Sequence, residues 1–415
     1  MSRPLRVVHL LQNFPPEFAG GTERHVAELV DLQRQAGLEV AVVCGSERRD
    51  PLGATQAETW RGVPVARVHR RPDEAYGVAF EPPHAQAAAL AAVRAFAPDL
   101  VHLHHWFNLG DSLLQRLAPL PAVASFHDAY SACPRFFLLR PDGDDCGRAL
   151  PLPLERCVAC IAPDDGGADL AARLVARHAR FACEVERIAF ALAPSRFHGE
   201  RLVAAGVIPA AKLRVVPLGL PVAPTAAAHR PAAGRLRIAC WGNLSKLKGV
   251  DLLLEAVRAL APRGGLELHL FGAPLPAEAA ELQRRAAGLP VTWHGRFDLA
   301  SLAQAAPDLD LALFPSRAHE SYSLVVEEAV ALRLPLVVSD RGAPRERLGG
   351  GGLAVAVESA APLVATLARL MESPADLAAL RAALPAAPQL LSDHERTLRE
   401  LYRAALAAPA SGAPR

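Results

Sequence analysis

The sequence has almost no excess charge of either sign: 45 lysines and arginines stand against 43 aspartates and glutamates, a formal +2. Nothing in that balance points to a nucleic-acid partner, which would ask for a basic surface. No apolar stretch approaches the ~18 uncharged residues of a membrane span. The first apolar run, Leu5 to Leu11, follows directly on Met1-Ser2-Arg3-Pro4. It is too short for the core of a signal peptide. A cytoplasmic protein is expected, with peripheral contact to a membrane left open. In that compartment the seven cysteines read as thiols or metal ligands rather than disulfides. No short-period repeat is present.

What is present suffices for two full cores. The chain has 415 residues, 51% of them hydrophobic and 21% charged. Arginine far outnumbers lysine, and alanine and proline are abundant, a composition that fits a GC-rich bacterial source.

Strand and helix signals alternate through the first half. Strands are predicted at Leu5–Leu11, Val40–Cys44, Leu100–Leu103, Ala122–Phe126, Ile188–Ala193 and Leu213–Val216. A helix is predicted over Thr22–Ala36, with Val26, Leu29, Val30 and Leu32 on its apolar side and Gly37 ending it. Residues 218–234 are rich in proline, alanine and glycine and read as a linker. The pattern then restarts, with strands at Leu236–Trp241, Leu266–Phe271, Val291–His294, Leu309–Phe314 and Leu336–Ser339. Helices are predicted at Val250–Leu260, Pro276–Ala287 and Leu324–Leu332. This is an α/β chain of two doubly wound, Rossmann-like domains, 1–217 and 235–390, facing each other across a cleft. Residues 391–406 form a last helix, and 407–415 a disordered tail.

The most informative stretch is Pro315-Ser316-Arg317-Ala318-His319-Glu320-Ser321-Tyr322-Ser323-Leu324-Val325-Val326-Glu327-Glu328. A buried parallel strand ends, a polar loop follows, and a helix begins. Ligands bind at such carboxyl ends. Glu320 falls in the loop, and Glu328 lies about one turn into the helix. Amides near Ser323 and Leu324 suit a phosphate, and a carboxylate one turn along suits the two hydroxyls of a ribose.

A second loop, Trp241-Gly242-Asn243-Leu244-Ser245-Lys246-Leu247-Lys248-Gly249, also joins a strand to a helix. There Lys248 would compensate a pyrophosphate, with Lys246 sharing the load. Gly20 and Gly21 open the first helix and allow close backbone approach by a ligand, though the turn is not a G-x-G-x-x-G fingerprint. His127 ends an apolar strand in Phe126-His127-Asp128. His104 and His105 end its neighbour and are candidates for the acceptor side.

The Glu320–Glu328 segment resembles the E-x7-E motif of retaining GT-B glycosyltransferases of the family 4 type, and the run from Ala331 to Glu346 continues the likeness. The resemblance covers about residues 5–345. It implies a nucleotide-diphosphate-sugar donor, a hydroxyl acceptor and no catalytic metal; no Asp-x-Asp-like cluster sits at a suitable strand end. It implies Glu320, His127 and Lys248 as the catalytic set. It further implies donor contacts from Gly20, Gly21, Asn243, Lys248, Ser321, Tyr322, Ser323, Leu324 and Glu328. The family's last helix crosses back to the first domain, which here falls to 391–406. Two departures stand out: Ser323 occupies the family's glycine position, and Asn243 its arginine position. A non-catalytic nucleotide-sugar scaffold or sensor on the same fold stays open. So does a nucleotide-sugar 2-epimerase, although the E-x7-E and Lys248-Gly249 patterns argue against it.

Cys133, Cys146, Cys157 and Cys160 are spaced C-x12-C-x10-C-x2-C within a loop-rich insertion at about 129–165. The set fits a closed, structural zinc site, with free thiols or a redox pair as alternatives. A subset of the family resembles this insertion. Cys44, Cys183 and Cys240 lie in apolar stretches and read as buried, inert thiols.

Overall fold

The computed structural model describes residues 3–408 except 19, 75, 76, 79, 142, 144, 147–149, 152, 166, 225, 226 and 233. It divides into two α/β units, Met1–Leu218 with Leu391–Arg415, and Gly219–Leu390.

In the first unit the strands are β1 (Arg6–Leu11), β2 (Glu39–Arg49), β3 (Thr55–Trp60), β4 (Val63–Arg70), β5 (Leu100–Leu103), β6 (Ala122–Ser125), β7 (Phe190–Ala193) and β8 (Leu213–Val215). Their order across the sheet is β3-β4-β2-β1-β5-β6-β7-β8. Neighbours run parallel except β3, which is antiparallel to β4. The hairpin β3–β4 was not legible from apolar runs, because β3 is a mostly exposed edge strand. Its turn, Arg61-Gly62, has positive φ at both residues, the geometry that matches the twist of a two-residue hairpin.

Alternation along the strands sends side chains to two covered faces. Val8, Leu10, Val101 and Leu103 enter one apolar cluster. Val7, Leu11, Leu100 and Val123 enter the other, with Val26, Leu29 and Val30 of the helix Gly21–Gln35 and with Leu398 and Tyr402 of the helix Leu391–Ala407. The predicted tail lies outside the described residues from 409 onward, and Ala407 closes that last helix.

In the second unit β9 (Leu236–Trp241), β10 (Leu266–Phe271), β11 (Val291–Gly295), β12 (Leu311–Phe314), β13 (Leu336–Ser339) and β14 (Gly352–Val355) are ordered β11-β10-β9-β12-β13-β14 and all run parallel. β9, β12 and β13 are buried along their whole length, as their unbroken apolar sequences require. The proline-rich stretch before β9 is tied to this unit: His229 meets Asp310 at 2.7 Å, and the Arg230 amide donates to the Pro307 carbonyl. Among the described residues no helix is long and apolar enough to cross a membrane.

Candidate functional site

Strand order reverses between β9 and β12, so the loops leaving their carboxyl ends flank the switch point of the second sheet. Trp241 and Phe314 close those two strands and pack edge to face, with centroids 4.6 Å apart. From the β9 loop, Lys248 Nζ reaches Glu320 Oε1 on the β12 loop at 2.5 Å, and Ser316 Oγ donates to the same oxygen at 2.8 Å. Burial alone would push the Glu320 carboxyl up; the Lys248 charge and the two hydrogen bonds outweigh it and hold the group below its ordinary value. One turn into the helix Leu324–Ala331, Glu328 Oε2 accepts the Trp241 indole N–H at 2.6 Å. Residues 72 and 87 positions apart in sequence thus converge at the carboxyl ends of two adjacent strands.

Backbone contacts explain why these loops have their sequences. Gly249 has φ +75, and a Cβ there would lie 1.9 Å from the Pro315 carbonyl oxygen, so the β12 loop packs directly on it. Gly342, at φ +85, lies against the Glu320 backbone, and the Ala343 amide donates to the Glu320 carbonyl at 2.9 Å. Arg317 clamps the two loops together. Its guanidinium pairs with Asp251 at 2.6 Å, and its amide donates to the Leu247 carbonyl.

Several expected donor contacts sit differently. Lys246 pairs with Glu281 at 2.5 Å. Asn243 is exposed on its loop. Tyr322 is turned inward, its hydroxyl donating to the buried Glu327 at 2.8 Å, so it can meet a ligand only through its backbone. Ser323 caps the helix at φ 75, ψ 83, the left-handed conformation that a glycine would take without strain, and its side chain makes no capping bond.

In the first unit the order reverses between β1 and β5. Gly20 and Gly21 follow β1, but neither adopts a positive φ. The space a Gly20 side chain would fill is taken by the Glu23 carboxylate, 2.6 Å from the ideal Cβ. Where close backbone approach by a ligand was expected, a buried carboxylate from the helix's first turn stands beside Gly20. Burial pushes Glu23 above its ordinary value.

His127, beyond β6, belongs to a buried polar seam. His9 of β1 lies in register with His102 of β5. His9 Nδ1 is 2.9 Å from His104 Nε2, and His104 Nδ1 is 3.0 Å from His127 Nε2. Burial pushes His127 down to about 3, against the opposing pull of Asp128, and His9 down to about 4. His102 and His104 are held well below their ordinary value, first by burial and then by neighbouring histidines, His9 and His127 among them. The two acceptor-side candidates are therefore inside: His104 is a link in this seam, and His105 pairs with Asp128 at 3.2 Å.

Two family models match the chain. "Glycosyltransferase Family 4" matches residues 19–223, and "Glycosyl transferases group 1" matches 235–373. Glycogen synthase of Mycobacterium tuberculosis is 25% identical over 412 residues, covering 94% of this chain and 91% of that protein. The MMP alpha-(1->4)-mannosyltransferase of Mycolicibacterium hassiacum is 33% identical over 174 residues, 40% of this chain and 41% of that one. Among solved structures, sucrose-phosphate synthase from Thermosynechococcus elongatus has a TM-score of 0.66 at 19% identity, covering 97% of this chain and all (100%) of that one. Anabaena HepE in complex with UDP and glucose has 0.65 at 16% identity, covering 96% and 100%. These two likenesses establish the fold. The chain is a GT-B glycosyltransferase.

The glycosyltransferase carries its four clustered cysteines around the helix Leu154–Ile161, where Cys157 and Cys160 share one face at i, i+3. Cys133, Cys146 and Cys160 are buried and Cys157 half-buried. Burial, and then the proximity of Cys133, Cys146 and Cys160, pushes the Cys157 thiol up to about 11. The four sulfurs thus share one neighbourhood. Among the described residues, however, only His9, His102 and His104 bring three ligand atoms within 4.8 Å of one another. Cys44 and Cys240 are buried, both pushed up to about 12. Cys183 is exposed, contrary to expectation. The helix Leu170–Arg187 turns Leu174, Arg177, Phe181 and Glu184 inward, and residue 183 falls outside that stripe.

Sequence reasoning missed the residues that hold the glycosyltransferase's loops: Arg317, Glu327, Gly342 and Arg347. Glu327 gathers the Tyr322 hydroxyl, Arg347 at 2.6 Å and the Gln389 amide at 2.8 Å. A fully buried acid beside an E-x7-E glutamate has no sequence signal of its own, because its partners come from three separate segments.

Proposed function

We propose that this glycosyltransferase is a retaining enzyme of the family 4 type that moves a sugar from a nucleotide diphosphate to a hydroxyl acceptor. The acceptor would be a glycan, a lipid-linked or a small molecule, in cytoplasmic synthesis of bacterial polysaccharide or glycoconjugate, with peripheral membrane contact in the lipid-linked case. The observation that carries the reading is the Lys248–Glu320–Ser316 cluster beside the Glu328–Trp241 pair, at a switch point where nucleotides bind. The complexes of HepE with UDP and glucose support a nucleotide-sugar donor.

In this mechanism Lys248 passes from the Glu320 carboxylate to the donor's β-phosphate. Glu320 is then released to accept sugar hydroxyls. Glu328 takes the ribose hydroxyls, and amides at Ser321, Ser323 and Leu324, with Asn243, surround the diphosphate. His127 orients the sugar and is not a base. The bond between C1 and the phosphate oxygen breaks, the acceptor oxygen bonds to C1 on the same face, and its proton passes to the departing phosphate. Stabilising that leaving group and positioning the acceptor would supply most of the rate. No metal takes part in the chemistry. A zinc ion held by Cys133, Cys146, Cys157 and Cys160 would be structural.

The test is transfer from a panel of UDP, GDP, ADP and dTDP sugars, with the anomer of the product read by NMR. Glu328→Ala should raise the donor KM roughly 10- to 100-fold, since a charged hydrogen bond is worth about 1.5–3 kcal/mol. Lys248→Ala should lower kcat more than nucleoside binding, because charge develops on the phosphate in the transition state. An inverted product, or wild-type turnover in Lys248→Ala, rejects the mechanism.

A further inference from the structure

The buried seam in the first unit continues past the four histidines already described. His9 Nε2 is 2.9 Å from Gln33 Oε1, and the same amide's Nε2 is 3.2 Å from the Tyr402 hydroxyl. That hydroxyl is 2.6 Å from His102 Nδ1, and His102 Nε2 is 2.8 Å from Ser125 Oγ. Every ring nitrogen of His9, His102 and His104 therefore has a partner within the protein. The three nitrogens that approach ligand spacing are satisfied by one another and by their neighbours, which removes the reason to place a cation among them.

The chain has a direction. An amide oxygen only accepts, so His9 carries its proton on Nε2. His9 is neutral, because burial holds it near 4, so its Nδ1 is a lone pair and accepts from His104 Nε2–H. His104 Nδ1 then accepts from His127 Nε2–H. On the other arm the Gln33 amide N–H donates to Tyr402, whose hydroxyl donates to His102 Nδ1, and His102 Nε2–H donates to Ser125. Imidazoles and hydroxyls can serve in either polarity. The amide is the one member with a donor end and an acceptor end that protons cannot exchange. Turning it through a half-circle would reverse every bond and move the His127 proton to Nδ1.

We propose that Gln33, acting through His9 and His104, is a positioning residue that holds His127 in one tautomer, with the proton on Nε2 and the lone pair on Nδ1. Resting on the sugar-orienting assignment of His127, the fixed tautomer sets the polarity with which that ring orients the sugar. The relay reaches across the helix Gly21–Gln35, and Tyr402 on the helix Leu391–Ala407 takes the amide's other end.

The direct test uses the full chain with 15N-labelled imidazoles and long-range proton–nitrogen correlation spectra, His127 being identified by the signals lost in His127→Asn. Wild type should show His127 protonated at Nε2. Gln33→Met, similar in volume but without the amide, should give a mixture of tautomers. It should also raise the donor KM roughly 3- to 10-fold, the value of one neutral hydrogen bond, with free UDP or GDP binding unchanged. Gln33→Glu, which restores an acceptor to His9, should restore the Nε2–H form. A wild-type His127 protonated at Nδ1, or a Gln33→Met protein with both tautomer and KM unchanged, overturns the proposal. If no nucleotide sugar is turned over, the glycosyl-transfer mechanism falls while the spectra still decide the tautomer.

Discussion

Ser323 stands where the family pattern has glycine, and its backbone is held at positive φ. A non-glycine side chain held at φ 75 costs roughly 1–2 kcal/mol relative to relaxed backbone. The surrounding loop enforces the conformation: Val326 bonds back to the Ser323 carbonyl at 3.1 Å, and the Glu320 backbone is trapped against Gly342. The strain sits at the helix start assigned to the diphosphate. Ser323→Gly should therefore raise the melting temperature of the second unit by about 2–4 °C, the equivalent of ~1 kcal/mol in a domain of this size. An unchanged or lower melting temperature would mean that the serine hydroxyl contributes a contact worth as much as the strain.

At the level of elements, the cysteine-bearing insertion is unevenly supported. Cys133 and Cys146 sit in a large core of the unit, whereas the helix Leu154–Ile161 with Cys157 and Cys160 packs on a small separate cluster of Val78, Ile161, Leu170 and Leu174. A structural metal adds most where a core is thin. One zinc per chain is expected by elemental analysis of protein purified without chelator. Because the Cys157 thiol is raised to about 11, binding must release protons, so affinity should weaken as pH falls. Chelation or Cys157→Ser should lower the melting temperature, with activity lost only as the unit unfolds. Metal-free protein with four titratable thiols in this segment, and no loss of stability in Cys157→Ser, would remove the zinc.

For the molecule as a whole, the buried histidines couple stability to acid. His9, His198 and His394 are pushed down to about 4 and His127 to about 3, all chiefly by burial. An unfolded histidine protonates near 6.5. Between those values the unfolded chain binds more protons than the folded one, so stability falls as pH falls, by about 1.4 kcal/mol per pH unit for each such group. Glu184, raised to about 7, and Asp111, raised to about 6, also by burial, act in the opposite sense but are fewer. The first unit should therefore melt at clearly lower temperature at about pH 5 than at about pH 7.5. The second unit should move less. Calorimetry showing an equal or higher first transition at the lower pH would contradict the neutral seam.

The sequence by itself determined the strands whose both faces are covered, since an unbroken apolar run such as Leu236–Trp241 or Leu336–Val338 has no other stable place. It also determined the two loops after β9 and β12, because Lys248-Gly249 and Glu320-x7-Glu328 stand at strand ends that a parallel sheet turns into a crevice. Composition and period say nothing about partners distant in the chain, and those the tertiary structure decided. Lys248 and Glu320 neutralise each other across adjacent strand ends, Glu23 fills the space beside Gly20, and Cys183 faces out of its helix. The edge strand β3 is set by pairing with β4 rather than by burial. His104 and His105, polar and at a strand end, read as acceptor-side candidates until the sheet order places His9 and His102 in register, with Gln33 and Tyr402 beside them, and Asp128 against His105. A buried polar seam is assembled from single residues on separate elements, each ordinary in its own segment, and only their packing makes them neutral and directional.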